Sequence, residues 1–232
     1  MHFTITGFLI GLVLPYATIL VVVVGSVVRL VIWIRAPKPF PVTLGPAPRT
    51  RFGLAARLVG DLLLFPTLFR SDKVLWIGVW ILHMSLLVVI LGHVRYFIYP
   101  VPEWAGIARE FALPTGYVLT LAVIALLARK GCHERLAYLT RASDLWGLLL
   151  LLGVSATGLL LAYLHQANEV EVKAFLLGLA FARPEPIPSS VLFRIHFGLG
   201  CVLVCYFPLG RLVHALGWLV SPTSASREID EH

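Results

Sequence analysis

The sequence predicts an all-α fold: an integral membrane bundle of five transmembrane helices with amphipathic helices lying at the interface. Three observations predict it. Of 232 residues, 59% are hydrophobic and 13% charged, with a mean hydropathy of +0.89; soluble domains are about 45–50% apolar and about 25% charged. A chain this poor in charge has little polar surface to offer water, and lipid is its natural solvent. Five apolar runs reach, or nearly reach, the ~20 residues a helix needs to cross a bilayer. Finally, the basic residues gather in alternate connections, the pattern left by insertion with cationic loops kept inside.

The spans are expected at about Phe8–Ile34, Val74–Tyr99, Leu113–Ala128, Leu145–Leu164 and Val191–Leu219. The first lacks the basic leader of a cleaved signal peptide and is long enough to span, so it is read as a membrane helix. A long connection follows. Its Arg35-Ala-Pro-Lys-Pro-Phe-Pro and Gly45-Pro-Ala-Pro48 stretches exclude a helix interior, because proline removes a donor and clashes with the preceding turn. Arg51 to Phe69 then mixes Leu, Val and Phe with Arg57 and Asp61, which predicts an amphipathic helix at the interface rather than a sixth span. Glu169–Ala182 is a second such segment, closed by Pro184, Pro186 and Pro188. Residues 1–220 are read as one transmembrane domain and 221–232 as a short tail.

Charge sets the orientation. The first and third connections carry eleven basic residues: Arg35, Lys38, Arg49, Arg51, Arg57, Arg70, Lys73, Arg129, Lys130, Arg135 and Arg141. The second and fourth carry five: Arg95, Arg109, Lys173, Arg183 and Arg194. The expectation is a multi-pass protein of a prokaryotic plasma (inner) membrane, its N-terminus outside and its C-terminus cytoplasmic. The net charge of +7 then belongs to cytoplasm-facing loops, with membrane lipids and not nucleic acid as partner.

Ionisable groups inside a span are costly and mark function. Of eight histidines, four fall within apolar runs: His83 and His93 in the second span, His196 and His214 in the fifth. The second span runs outward and the fifth inward, so matching depths pairs His93 with His196 on the outside and His83 with His214 on the inside. Neutral imidazole is a good iron ligand, and ligation on both faces leaves no open axial position, which suits electron transfer. The residues therefore point to two bis-histidine haem b groups. Eighteen residues are five helical turns, about 27 Å, while ten are about 15 Å and turn the rings about 80° apart. The two separations match only if the helices tilt or kink, for which Pro208 is placed.

Other metal chemistry fits less well. The cysteines Cys132, Cys201 and Cys205 form no Cys-x-x-Cys-His and no iron–sulfur cluster pattern. One histidine per helix per depth makes a poor tetrahedral zinc site. A proton path would recruit Asp or Glu, and none sits in the middle of a span. Arg211, three residues before His214, shares its face and is placed to pair a haem propionate. Arg95 and Arg194 flank the outer pair, where snorkelling to headgroups is the competing role.

Phe193-Arg-Ile-His-Phe-Gly-Leu-Gly200, Tyr206-Phe-Pro-Leu-Gly-Arg-Leu-Val-His214, Leu82-His83 and Gly92-His93 resemble the γ-subunit family of respiratory nitrate reductases. In that family histidines so spaced hold two haems, paired first with last and second with third. Within the superfamily, Leu68-Phe-Arg-Ser-Asp-Lys-Val-Leu-Trp76, His93-Val-Arg-Tyr-Phe-Ile-Tyr-Pro-Val-Pro102 and Leu219-Val-Ser-Pro-Thr223 are similar to the cytochrome b (M) subunit of the membrane complex linked to dissimilatory sulfite reductase. The resemblance implies electron transfer between a membrane quinone, menaquinone or ubiquinone, and a cytoplasmic iron–sulfur subunit, in a complex with further membrane and periplasmic subunits. It also implies a quinone site near the outer haem with a basic residue in the second connection; Arg109 is the candidate, with Arg95 and Tyr96 as rivals. A nitrate reductase γ subunit is the alternative within this machinery. A membrane anchor or transporter with structural histidines is the alternative outside it.

Overall fold

A computed structural model describes residues 5–36, 50–132, 142–164 and 167–210. Among them are five helices long and apolar enough to cross a membrane, and no strand. The protein is an all-α, multi-pass membrane bundle. The spans are α1 (Ile5–Arg35), α4 (Lys73–His93, continued by a 3₁₀ turn over Val94–Tyr96), α5 (Glu103–Cys132), α6 (Ala142–Tyr163) and α8 (Val191–Leu209). Three shorter helices accompany them: α2 (Arg51–Leu64), α3 (Pro66–Ser71) and α7 (Glu169–Ala180). Large apolar side chains such as Ile19, Leu20, Leu121, Ile90 and Val204 stay exposed along the spans, as lipid-facing surfaces require.

Each helix begins or bends for a local reason. In α1 the ladder slips to a π turn over Leu9–Val13, where the Leu14 N–H donates to the Leu9 carbonyl. Pro15 follows and has no N–H to offer Gly11. Asp72 caps α4, accepting from the Leu75 N–H at 2.8 Å. It also accepts from Arg129 at the end of α5, pinning those two helix ends together. The Leu75 amide, ahead of Arg129, holds the Asp72 carboxyl below the usual carboxylate range.

The expected amphipathic helix from Arg51 to Phe69 is found as two. It breaks at Phe65, which takes a left-handed conformation (φ 46°, ψ 53°) ahead of Pro66, since a residue before proline is pushed out of the right-handed helical region. The carbonyls left bare at the end of α2 are met by α4: Trp76 Nε1–H donates to Leu64 and Trp80 Nε1–H to Leu63, at 2.6 and 3.1 Å. The third span is longer than expected, because Glu103–Glu110, read as a connection, forms the first turns of α5. Its charged side chains dilute the hydropathy without interrupting the helix.

The fifth span also differs. Described helix stops at Leu209, and Gly210 is extended (φ −103°, ψ −167°), where the sequence predicts helix to Leu219. Arg29 of α1 donates to the terminal carbonyls of Pro208 and Leu209 at 3.1 and 3.5 Å. An arginine in the first apolar run thus caps a neighbouring helix. The five-turn argument relating His196 to His214 does not extend past this break. His214, Arg211 and the tail from 221 lie outside the described residues.

The spans pack in the order α1–α8–α6–α5–α4. One core lies between α4, α5 and α6, built on Leu82, Leu119, Val123, Leu126 and Leu151. A second gathers Val172 and Phe175 of α7 with Ile187 and Phe193, packed against Phe197 and Ile10. Close approaches use glycine. A Cβ on Gly92 would stand 2.6 Å from that of Ala112 and 3.3 Å from the Ala108 carbonyl of α5, the small-residue contact that lets membrane helices meet. Gly92→Ala is therefore expected to cost about 1–3 kcal/mol by overpacking, read as a lowered Tm of the purified protein in detergent. An unchanged Tm would show that the two helices separate freely there.

Candidate functional site

The two helices that carry the intramembrane histidines, α4 and α8, share no extended packing among the described residues; α5 and α6 hold them apart. They meet instead through side chains. The rings of His93 and His196 lie with centres 6.3 Å apart and planes within 24° of parallel. Two imidazoles on opposite faces of one first-row metal ion, each nitrogen about 2.0–2.1 Å from it, set their ring centres roughly 6.2–6.5 Å apart. The observed separation fits that geometry.

The ring nitrogens are sorted by their hydrogen bonds. His93 Nδ1 lies 2.7 Å from the Val89 carbonyl and His83 Nδ1 lies 2.8 Å from the Val79 carbonyl, each four residues back on the same helix. A carbonyl only accepts, so Nδ1 carries the hydrogen and donates, and Nε2 keeps its lone pair. His196 reaches the same state through a different helix. Its Nδ1–H is 3.1 Å from both the Val154 carbonyl and Thr157 Oγ1 of α6. The Thr157 hydroxyl is free to accept because its own hydrogen goes to Gly153 or Val154 carbonyls at 2.7 and 3.0 Å. Such bonds fix ring orientation and raise the basicity of a metal-binding nitrogen. Gly158 completes the bed: a Cβ there would stand 3.1 Å from His196 Cε1.

His83 lies at the middle of α4, ten residues before His93. The Phe65 ring, projected by the left-handed break between α2 and α3, packs on it with centres 5.1 Å apart. Its expected mate His214 lies outside the described residues, as does Arg211. Among the described residues no three His, Cys, Asp or Glu side chains converge as metal ligands.

Around the His93–His196 pair the sequence-predicted Arg95 and Arg109 come together, and the residue that joins them is Glu169. Both guanidiniums donate to the same oxygen, Glu169 Oε1, each at 2.9 Å. Arg95 also donates to Tyr96 OH at 2.5 Å and stands over the Tyr96 ring at 4.5 Å. The Tyr96 ring centre is 6.2 Å from that of His93. One connected set thus runs from the histidine pair to α7. Arg194, the other flanking arginine, is turned to the Pro188 carbonyl at 2.9 Å and serves the connection before α8.

Several of these partners escape sequence reading. Val154, Thr157 and Gly158 carry no charge and no periodic signal; only helix packing brings them to His196. Glu169 has one weak signal, an acidic residue opening an interfacial helix, and that is equally the mark of a helix start.

Comparison with known proteins follows the same lines. The family model described as "Nitrate reductase gamma subunit" matches residues 66–225, a stretch that includes all four intramembrane histidines. The chain is also similar to the Hdr-like menaquinol oxidoreductase cytochrome b-like subunit of Archaeoglobus fulgidus. Identity is 28% over 262 residues, covering 94% of this chain and 79% of the relative. The protein of the same description from Archaeoglobus profundus is 26% identical over 257 residues, covering 90% and 76%.

Proposed function

This chain belongs to the nitrate reductase gamma subunit family, and on that premise we propose that it is the cytochrome b subunit of a membrane menaquinol oxidoreductase. Two b-type haems are held by four histidines, His93 with His196 and His83 with His214. The observation that carries the reading is the 6.3 Å approach of the His93 and His196 rings across two helices that otherwise share no extended packing. The names of the two Archaeoglobus relatives support the redox class and the quinone.

Haem iron, when bound by two imidazoles, supplies one-electron transfer with no open coordination position. The chain's own residues do the rest. Nδ1–H bonds to Val89, Val154 and Thr157 hold both outer imidazoles and leave each Nε2 with the lone pair that would bind the haem iron. Arg95, Tyr96 and Arg109 supply hydrogen-bond donors beside that pair, suited to the oxygens of a quinone head group. At the inner pair, Phe65 packs on His83 and Arg211 would pair a haem propionate. Electrons then pass to a cytoplasmic iron–sulfur subunit, with other membrane and periplasmic subunits completing the complex. The basic connections orient the chain in a prokaryotic plasma membrane, N-terminus outside.

The test is the reduced-minus-oxidised visible spectrum of the purified full chain, with haem extracted and counted. A b-type α-band and two haems per chain are expected. A colourless protein would overturn the reading, and a single haem would overturn the four-histidine assignment.

A further inference from the structure

We propose that Glu169 is the proton-accepting residue for quinol at the outer histidine pair, its carboxylate held in place by Arg95 and Arg109 through one oxygen and used through the other. This rests on the quinol-oxidoreductase reading above and adds to it a named acceptor for the protons.

Oxidising a quinol requires somewhere for two protons to go. Of the groups connected to the His93–His196 pair, arginines have no lone pair to accept with, and Tyr96 OH already accepts from Arg95. Glu169 is the carboxylate in the set. Both arginines donate to Oε1, and Oε2 has no hydrogen-bond partner among the described residues. Among the described residues, Glu103 and Glu110, on the helix of Arg109, form no ion pair with Arg95 or Arg109, which both pair with Glu169. On α7 itself, Glu171 accepts from Asn168 and Lys173 stands over Tyr99 at 5.1 Å. A carboxylate bonded on one oxygen by two cations is fixed in direction, and its second oxygen is a ready acceptor for an O–H.

Position completes the argument. Glu169 sits at the first turn of α7, its side chain 53% exposed, while Arg95 beside it is only 16% exposed. The group therefore bridges a sheltered side, toward Tyr96 and His93, and the exposed start of α7. In each half-reaction one quinol O–H breaks, its proton passes to Glu169 Oε2, and one electron would be taken up by the haem that His93 and His196 would hold. Glu169 then releases that proton to water, and the second half repeats the step. The sum is quinol to quinone, two protons and two electrons, the electrons leaving by the inner pair.

The test compares purified full-length wild type, Glu169→Gln, Glu169→Asp and Arg109→Gln, using menadiol as the quinol probe. Haem content and dithionite-reduced spectra come first: a haem-free wild type sinks the underlying reading, whereas full haem in every protein isolates Glu169. Single-turnover haem reduction by menadiol is expected to fall at least tenfold in Glu169→Gln and to lose its acid limb, while Glu169→Asp restores both in part. Arg109→Gln is expected to slow reduction but keep the acid limb, which a mere tether between α5 and α7 would not distinguish. Difference infrared spectra should show a protonated-carboxyl band on adding menadiol, absent from Glu169→Gln. A wild-type rate and pH profile in Glu169→Gln, or the same infrared band there, overturns the proposal. Equal losses without a pH change in Glu169→Gln and Arg109→Gln overturn it in favour of a structural bridge.

Discussion

Replacing either His93 or His196 by alanine is expected to remove one haem and leave the other in place. The purified variants should carry about one haem instead of two, and the dithionite-reduced α-band should fall to about half. The cause is geometric. With ring centres 6.3 Å apart, the two imidazoles would be the protein's two ligands to one haem, and a haem left with a single ligand would be held too weakly to survive purification. His83 lies ten residues earlier on α4, about 15 Å along a helix, under Phe65, and does not share that metal. The converse variant, His83→Ala, should remove the inner haem and spare the outer. Helical circular dichroism serves as the control for folding. Loss of both haems from a well-folded His93→Ala would show that the depth pairing is wrong.

The approach of His93 to His196 was legible because lipid leaves the chain few options. A span must be helical and apolar, so every histidine inside one stands out, and spans that run in opposite directions then match them by depth. The five spans were legible for the same reason. What the sequence hid lies where tertiary contact decides. Phe65 ends α2 only because Pro66 follows and Trp76 and Trp80 are placed to meet the carbonyls it bares. Leu209 ends the described part of α8 where Arg29, from the opposite end of the sequence, meets the carbonyls. Hydropathy sees neither event, since both turn on contacts made by a different helix. Arg109 was visible as a basic residue but was read in a connection; in the helix it stands opposite Glu169, sixty residues on.

The second large effect is expected from Gly158, a residue with no side chain at all. A Cβ at this position would lie 3.1 Å from His196 Cε1 and 3.6 Å from Nδ1. Gly158→Ala presses on the ring by a few tenths of an ångström, which the imidazole can yield. Gly158→Val adds two further methyls into the same space, and the ring must leave its rotamer, at a cost of order 0.5–1.5 kcal/mol for about 30°. That rotation also pulls Nδ1–H off Val154 and Thr157 and turns Nε2 away from His93. The expected result is a Gly158→Val protein with the haem content and half-height α-band of His196→Ala, although both histidines are intact. Thr157→Val tests the hydrogen bond without the bulk. The Val154 carbonyl still accepts from Nδ1 at 3.1 Å, so the haem is retained. One acceptor fewer lowers the basicity of the ligand, so the outer haem's reduction potential should rise while the inner is unmoved in a redox titration. Full haem occupancy in Gly158→Val would mean that α6 does not hold His196 in place. A lowered potential in Thr157→Val would mean that the threonine acts on the ring by packing and not by accepting its proton.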